Sequence, residues 1–219
     1  MMLELSWIGL LLITAYLLGS IPTGYLAGRL VKGIDIREVG SGSTGATNVL
    51  RNLGKGPAFV VLLIDAAKGV GAVALVHGFF SLTGTSVIPD TWKPWLVAVV
   101  ALVAMVGHSK SIWINFTGGK SAATGLGVLL AMSWFVALSV LVIFIGVVSF
   151  SRFVSLGSIA AAIAVAVLMI VLAQPLPYQI FGVMAGLYVI LRHQANIQRL
   201  LAGTEPRLGQ SVSPEVISS

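Results

Sequence analysis

The sequence predicts an all-α, polytopic integral membrane protein with seven transmembrane helices. Apolar residues make up 57% of the 219 residues and charged residues only 9%, and the mean hydropathy is +1.01. Because a soluble domain carries roughly a quarter charged residues, this composition excludes an ordinary water-soluble domain. The apolar residues also fall into seven segments, several of which approach the roughly 20 residues that a helix needs to cross a bilayer.

The seven apolar segments differ in length. The first and second are long enough to span a bilayer outright, whereas the fourth and fifth are short and are separated by little more than Ser133. These two could form either two thin spans or one re-entrant hairpin, and both alternatives leave the flanking loops on the same sides. The segments comprise residues 5–27, 57–80, 92–107, 119–132, 134–150, 154–173 and 176–191.

The two ends of the chain differ in character. Glu4 precedes the first apolar segment and basic residues follow it, which reverses the charge pattern of a signal peptide. We therefore expect a retained first span. Residues 1–203 are expected to form a single transmembrane domain, and residues 204–219 a polar, disordered cytoplasmic tail. The absence of cysteine excludes a disulfide, a thiolate nucleophile and a zinc–thiolate site.

The basic residues predict the orientation of the chain. With seven alternating spans, eleven of the thirteen Lys and Arg residues fall on one side, whereas Lys93 falls on the other and Lys68 lies within the second segment. The positive-inside rule makes the basic side cytoplasmic, which places the N-terminus outside and the C-terminus in the cytoplasm. Part of the net charge of +6 is therefore attributed to membrane orientation and part to function, and no nucleic acid partner is expected.

Two ionisable residues interrupt the second apolar segment. Asp65 and Lys68 are three residues apart, so they share a helical face and can neutralise each other. Charges inside a membrane are costly and are usually paired. We favour a structural pair, and the alternative is a charge that helps to orient a substrate group.

The first predicted cytoplasmic loop is rich in glycine and hydroxyl residues. Residues 40–48 contain no proline, charge or bulky side chain, so their amides and hydroxyls can form a concave anion-binding nest. Gly40, Gly42 and Gly45 match G-x-G-x-x-G, but no βαβ unit surrounds them, which excludes a dinucleotide site. A flexible turn is the simpler alternative. Arg51 favours the nest, because a guanidinium is a bidentate partner for phosphate.

A second glycine-containing segment ends in Gly118-Gly119-Lys120-Ser121. It resembles the tail of a Walker A loop, but Ile114 stands where that motif requires glycine, so it is not a nucleotide P-loop. Lys120 lies at the N-terminal end of the fourth apolar segment, where helix N–H groups favour an anion.

Two further polar segments, residues 152–158 and 192–199, follow the fifth and seventh apolar segments. The second of them is expected to place an arginine at each end and Asn196 between them on one helical face, with His193 beside it. A basic helix end that contacts lipid headgroups is the simpler interpretation. We favour that interpretation for Arg199, but not for His193 and Asn196.

Together these four segments closely resemble the bacterial acyl-phosphate:glycerol-3-phosphate acyltransferases (PlsY). The resemblance is carried by residues 40–51, 107–121, 152–158 and 192–205 and extends over nearly the whole chain. It implies a protein of the bacterial cytoplasmic (inner) membrane, with seven helices and an active site that faces the cytoplasm. Members of the family transfer a fatty acyl group from acyl phosphate to the 1-hydroxyl of glycerol 3-phosphate. The products are lysophosphatidate and phosphate, in the first step of phospholipid synthesis.

The resemblance also implies roles for individual residues, without a metal or a cofactor. His193, Asn196 and Ser41 would take part in catalysis. The residues implied for acyl phosphate are Ser41, Gly42, Ser43, Gly45, Thr47 and Asn48, and those implied for glycerol 3-phosphate are Arg51, Lys120, Ser155, His193 and Asn196.

Four positions depart from the family pattern. Members commonly carry lysine and glycine where this chain has Thr117 and Ser121, and they often carry asparagine and proline where it has Ser43 and Ser111. The phosphate clamp is therefore expected to lack one cation and to be weaker or rearranged, while Lys120 remains.

The implied reaction needs no covalent enzyme intermediate, because acyl phosphate already carries a good leaving group. The hydroxyl proton could pass to the leaving phosphate or to His193, and His108 is a further candidate. Two other function classes remain open: a transporter or channel for phosphate or an organophosphate, and a non-catalytic lipid-binding subunit. The transporter is disfavoured, because its polar sites would be expected near the middle of the membrane. The protein is expected to be monomeric.

Overall fold

The computed structural model describes residues 2–83 and 87–210. Within these ranges the regular structure is helical, apart from one isolated antiparallel bridge between Ser111 and Thr117, so the all-α prediction is confirmed. Short 3-10 turns, among them Ile36–Glu38 and Ile112–Ile114, join some of the helices. The ten α-helices of the described ranges are α1 (Met2–Ser20), α2 (Thr23–Lys32), α3 (Ala46–Leu53), α4 (Lys55–Thr83), α5 (Lys93–Ser109), α6 (Ala122–Met132), α7 (Trp134–Ser151), α8 (Val154–Val171), α9 (Leu176–Arg192) and α10 (Gln194–Leu201).

Five stretches of helix in the described ranges are long and apolar enough to cross a membrane. They are Glu4–Lys32, Lys55–Thr83, Asp90–Ser109, Trp134–Ser151 and Val154–Val171. The helices α6 and α9 are apolar but shorter. The eleven residues of α6 reach about 16 Å at about 1.5 Å per residue, against a hydrocarbon core of about 30 Å. The short fourth and fifth segments are two separate helices that meet at Ser133.

The first apolar segment is not one continuous helix, although a single span over residues 5–27 was expected. The helix α1 ends at Ser20, and α2 begins at Thr23. Pro22 accounts for the interruption, because proline has no N–H to donate and its ring crowds the preceding turn. The break leaves the carbonyl of Ile21 able to accept from a side chain of α4, Lys68.

Small residues allow the central helices to approach closely. A Cβ atom at Gly127 of α6 would overlap the carbonyl oxygen of Ala66 in α4, so this crossing requires glycine. In α9, a Cβ atom at Gly186 would lie 2.5 Å from the carbonyl oxygen of Ala162 in α8. At Gly182 of α9, a Cβ atom would lie 2.9 Å from Cγ of Met169, so small residues permit close packing of α8 and α9 there as well. The main apolar core lies between α1, α4, α5, α6, α7, α8 and α9.

A smaller apolar cluster fixes the first loop to the bundle. Ile36, Val49, Ala58 and Val61 pack together and join the 3-10 turn, α3 and α4. The predicted loop over residues 40–48 is therefore partly helical, because α3 starts at Ala46 with Gly45 as its N-cap.

The C-terminal region also differs from the expectation. Residue His193 separates α9 from α10, so the predicted single helix through residues 192–199 is interrupted. The predicted disordered tail includes Glu205, which is buried and bonded to α10, and Leu208, whose N–H donates to the carbonyl of Arg152. Disorder is therefore wrong for residues 204–210, and residues 211–219 lie outside the described ranges.

Candidate active site

A cavity of about 270 Å³ lies where the four polar segments meet. Its polar end is formed by the first loop, the residues before α6, the start of α8 and the junction of α9 with α10. Its apolar end runs between α6, α7, α8 and α9 as far as Phe181. Of the eleven site residues expected from the sequence, Gly42 is not part of the lining. The ten that line the cavity are Ser41, Ser43, Gly45, Thr47, Asn48, Arg51, Lys120, Ser155, His193 and Asn196.

Asn48 organises the first loop from within. Its side chain is 1% exposed, and its Nδ2 donates to the carbonyls of Ile36, Val39 and Ser43 at 2.9–3.0 Å. Its Oδ1 accepts the N–H of Ser41 at 2.9 Å. Because the Asn48 amide is engaged with the loop itself, its geometry supports a role in shaping the loop rather than in direct contact with a ligand.

The sequence suggested that all backbone amides of the first loop are available to bind an anion, but some of them are already hydrogen-bonded within the protein. The N–H of Ser41 binds Asn48, and that of Gly42 binds the carbonyl of Val39 at 3.2 Å. The first turn of α3 offers an alternative, because N–H groups of a first turn have no helical partner and favour an anion. Ala46 and Thr47 of that turn line the cavity.

A chain of polar contacts crosses the cavity from α6 to the C-terminal residues. The ammonium of Lys120 donates to Oδ1 of Asn196, and Nδ2 of Asn196 donates to Oε1 of Glu205 at 2.7 Å. The other carboxylate oxygen of Glu205 accepts from Nε of Arg199 at 2.7 Å. Lys120 is thereby fixed at the cavity wall, and the amide orientation of Asn196 is set by one partner on each side.

Burial and neighbouring charge change the titration of this chain. Burial, with a further contribution from the nearby positive charge of Arg199, lowers the pKa of Lys120 to about 8. Burial alone would raise the pKa of Glu205, but its polar neighbours Ser155, Asn196 and Arg199 outweigh that effect and lower the pKa. A phosphate dianion beside Lys120 favours the charged form of the lysine. Binding of the anion therefore keeps Lys120 protonated.

His193 is held in one orientation beside the cavity. Its ring is 4% exposed, and Nδ1 lies 2.7 Å from the carbonyl oxygen of Val189. Because a carbonyl only accepts, Nδ1 carries the proton and Nε2 is the acceptor of the neutral ring. Burial lowers the pKa of His193 to about 4, so the ring is neutral at physiological pH.

Two arginines approach the cavity from different elements. The Arg51 guanidinium lines it and donates from Nη2 to the carbonyl of Pro206 at 3.2 Å. Arg192 donates from Nη2 to the carbonyl of Gly119 at 3.2 Å, outside the cavity lining. The helical face expected for Arg192, Asn196 and Arg199 therefore does not form. Only the last two share a partner, Glu205.

Sequence reasoning missed Glu205, which both lines the cavity and holds two of the expected residues. The signal was one acidic residue within a basic stretch, and its contacts are not readable from spacing. Asp65 and His108 also line the cavity. Within the described residues, no three acidic or histidine side chains are grouped as metal ligands.

Two of the four positions that depart from the family pattern, Thr117 and Ser121, have local explanations. Thr117 lies outside the cavity lining, and its Oγ1 accepts from Nη1 of Arg37 at 3.0 Å. Ser121 has a left-handed backbone (φ 61°), which glycine would adopt more easily. Its hydroxyl donates to the carbonyl of Met105 at 2.6 Å, and its oxygen lies 2.7 Å from the hydroxyl oxygen of Ser109. These bonds hold the strained turn.

Comparisons with known proteins give one family. Residues 9–203 match the family described as glycerol-3-phosphate acyltransferase. The chain is 58% identical over 223 residues to a glycerol-3-phosphate acyltransferase of Trichormus variabilis, with 99% of each chain covered. It is also similar to crystal structures of PlsY (YgiH), an integral membrane glycerol 3-phosphate acyltransferase. The glycerol 3-phosphate form has 36% identity and a TM-score of 0.83, covering 97% of this chain and 99% of that one. The lysophosphatidic acid form has 36% identity and a TM-score of 0.80, covering 92% of this chain and 95% of that one.

Proposed function

This chain belongs to the glycerol-3-phosphate acyltransferase family, and we propose that it transfers a fatty acyl group from acyl phosphate to the 1-hydroxyl of glycerol 3-phosphate. The observation that carries the proposal is the convergence of four polar segments on one cavity that continues into an apolar cleft. Such a site suits a lipid donor and a small anionic acceptor. The similar structures with glycerol 3-phosphate and with lysophosphatidic acid, a substrate and a product of such a transfer, support the same reaction.

The substrates are assigned to different parts of the cavity. Glycerol 3-phosphate places its phosphate between Arg51 and Lys120, whose positive charges lie near each other and suit a dianion. Ser155, Asn196 and His193 then position the glycerol. The phosphate of the acyl donor binds at the first loop, near Ser41 and the first turn of α3, and its tail follows the apolar cleft.

The chemistry requires no acyl-enzyme. The 1-hydroxyl oxygen attacks the carbonyl carbon, a new C–O ester bond forms, and the C–O bond to phosphate breaks. The positive groups reduce repulsion between the two phosphates and stabilise the charge that develops on the carbonyl oxygen. Orientation of two bound reactants can lower the barrier by about 7–11 kcal/mol, and this is the main contribution of the site to catalysis.

The proton of the hydroxyl ends on the leaving phosphate. His193 presents Nε2 as an acceptor and can orient the hydroxyl, but its pKa of about 4 makes it a weak base. A phosphate group, with a second pKa of about 6, takes up a proton more readily. We therefore assign His193 to orientation and the departing phosphate to final proton uptake.

In the proposed topology the chain crosses the membrane seven times. The helices α1 and α2 together form the first span, and α6 and α7 form two thin spans. The N-terminus lies outside and the active site faces the cytoplasm of a bacterial inner membrane, which the distribution of eleven basic residues on one side supports. The chain contains no cysteine, so single cysteines at Lys93 and Lys110 can be labelled selectively. A membrane-impermeant thiol reagent added to intact cells should label position 93 and not position 110, and the reverse would refute the orientation.

The donor and the reaction are tested together in one assay. Purified protein in lipid vesicles receives glycerol 3-phosphate with either an acyl phosphate or an acyl thioester of the same chain length. We expect lysophosphatidate and phosphate in equal amounts from the acyl phosphate, and little product from the thioester. Preference for the thioester would refute the donor. Phosphate release without lysophosphatidate would indicate a hydrolase, and glycerol 3-phosphate uptake into the vesicles without product would indicate a transporter.

We further propose that one chain suffices for activity, because ten of the eleven residues expected at the site already meet at one cavity within the chain.

A further inference from the structure

A charged pair lies inside the helix bundle, and the proposed reaction assigns no role to it. Asp65 and Lys68 of α4 are 1% and 2% exposed, and Nζ of Lys68 lies 2.6 Å from Oδ1 of Asp65. Ionisable groups at such positions are expensive to bury and are usually functional or paired. The contacts of the two residues differ, and this difference indicates what the pair does.

Lys68 is explained by the break between α1 and α2. Its ammonium has three donors and three acceptors: the carbonyl of Ile21 at 2.5 Å, Oγ1 of Thr23 at 2.9 Å, and Asp65. The carbonyl of Ile21 is available because Pro22 interrupts the helix. Lys68 therefore caps the interrupted helix, and each of its three N–H donors has an acceptor.

Asp65 reaches beyond this cap. It lines the cavity, and its Oδ1 lies 3.5 Å from Nδ1 of His108, near the end of α5. A carboxylate beside Nδ1 favours the tautomer with the proton on that nitrogen and restricts rotation of the ring. The orientation of the His108 ring is therefore coupled to the charge in α4.

The ring of His108 supports the loop that leads to Lys120. The N–H of Gly119 donates to the carbonyl of His108 at 3.2 Å. The Cα of Gly119 also lies directly against the imidazole, so that a Cβ atom there would overlap Nε2. At Gly118, a Cβ atom would overlap the carbonyl oxygen of His108. Lys120 is the next residue, so its place at the cavity wall depends on where His108 stands.

We infer that Asp65 and His108 are positioning residues that hold the Gly118-Gly119 turn so that Lys120 meets the phosphate of the small substrate. The inference rests on the proposed function, in which that phosphate belongs to glycerol 3-phosphate. Neither residue needs to touch the substrate. A displacement of the Lys120 ammonium by about 1 Å is enough to weaken its interaction with the substrate, because the effect of a charged group at such a site depends on its orientation.

Direct binding tests the inference without depending on turnover. The dissociation constant of glycerol 3-phosphate is measured by calorimetry on the full chain in lipid nanodiscs, for wild type, His108→Gln and Asp65→Asn. We expect each substitution to raise it about tenfold, as loss of a group that orients a ligating side chain typically does. In turnover assays, KM for glycerol 3-phosphate should rise similarly, while KM for acyl phosphate and kcat stay within about twofold.

Two matched controls and one double variant complete the test. His77→Gln makes the same replacement at a partly buried histidine of α4 outside the cavity lining, and Asp90→Asn makes it at an exposed aspartate. Both should behave as wild type. Because Asp65→Asn leaves Lys68 without its counter-charge, Asp65→Asn combined with Lys68→Met restores neutrality. It should fold and still bind glycerol 3-phosphate about tenfold more weakly.

Each other outcome counts against the inference. Unchanged binding in His108→Gln, or in the neutral double variant, would overturn it. An equal rise in both KM values would indicate general loosening of the fold, and a fall in kcat with unchanged binding would place His108 in the chemistry. Wild type that binds glycerol 3-phosphate without acyl transfer would refute the proposed function alone, and the binding series would still decide the inference.

Discussion

The protein places two glycine-rich turns at one cavity, and it holds them in different ways. The first, residues 40–48, is shaped by Asn48, a residue of the helix that follows it directly. The second, residues 117–121, is held by His108 at the end of the preceding helix α5 and also from far along the chain, by Arg37 and by Arg192 at the end of α9. The first turn is organised locally, whereas the second depends on tertiary packing.

This difference corresponds to a division of work in the proposed reaction. The locally organised turn receives the acyl donor next to the apolar cleft, and the packed turn presents Lys120 to glycerol 3-phosphate. A substitution in either turn should therefore affect the two substrates unequally.

Replacing Asn48 with alanine should cause the largest loss. The substitution removes donors to three carbonyls and the acceptor for the N–H of Ser41, and each buried group left unpaired costs about 1–3 kcal/mol. We expect kcat/KM for acyl phosphate to fall at least about 100-fold, measured by phosphate release. Asn52→Ala is the control, because Asn52 bonds only to Asn48 among these groups, and its effect should be under about tenfold. Equal effects would contradict local organisation by Asn48.

Gly119→Ala should disrupt the packed turn. The new Cβ atom would overlap Nε2 of His108, so either the ring or the turn has to move, and Lys120 moves with it. We expect KM for glycerol 3-phosphate to rise about 30-fold, as the loss of a close fit commonly costs about 1–3 kcal/mol, with KM for acyl phosphate nearly unchanged. Gly56→Ala in the first turn of α4 is the matched control, because no atom lies within 4 Å of its added Cβ. A small effect at Gly119 would mean that His108 does not support the turn.

The affinity for glycerol 3-phosphate should depend on pH through Lys120. With its pKa lowered to about 8, Lys120 in the free protein loses its proton as the pH rises through 8, whereas the bound phosphate favours the charged form. The dissociation constant should therefore rise above pH 8, approaching about tenfold per pH unit for one linked proton. Lys120→Arg should remove this dependence up to about pH 10, because arginine stays charged. A wild-type constant that is flat from pH 7 to 9.5 would contradict the assignment.

Thr117→Lys should have the smallest effect. Position 117 lies outside the cavity lining and beside the Arg37 guanidinium, so an added cation there meets positive charge rather than substrate. We expect KM for glycerol 3-phosphate to change by less than about threefold, within the range of an exposed charge contact. A large gain in affinity would show that the packed turn of this chain is missing a cation.

Much of the fold was readable from the sequence, because the bilayer constrains composition strongly. Apolar length predicted helices close to α4, α5, α7, α8 and α9. The breaks at Pro22 and His193 were missed. Proline interrupts many but not all membrane helices, and neither proline nor glycine stands beside His193 to mark the second break.

The candidate site was predictable where chemistry is local and not where it is tertiary. Ser41, Arg51 and Lys120 stand in segments whose composition alone indicates anion binding. Glu205 was missed because its role depends on tertiary contacts. The chain turns back after α10 and brings Glu205 to Asn196 and Arg199. Asn48 was assigned to acyl phosphate because the family resemblance implied that role. Its burial shows that it shapes the loop.

In the proposed reaction each turn serves one substrate, and a crossed pair of variants tests this division. KM for both substrates is measured in Ser41→Ala and in Lys120→Met, under identical conditions in the same vesicles. We predict that Ser41→Ala raises KM for acyl phosphate and leaves KM for glycerol 3-phosphate within about twofold, and that Lys120→Met does the reverse, each rise being about tenfold or more for a lost charged or hydroxyl contact. If both variants raise both KM values to the same extent, the two turns do not divide the substrates between them and the account is wrong.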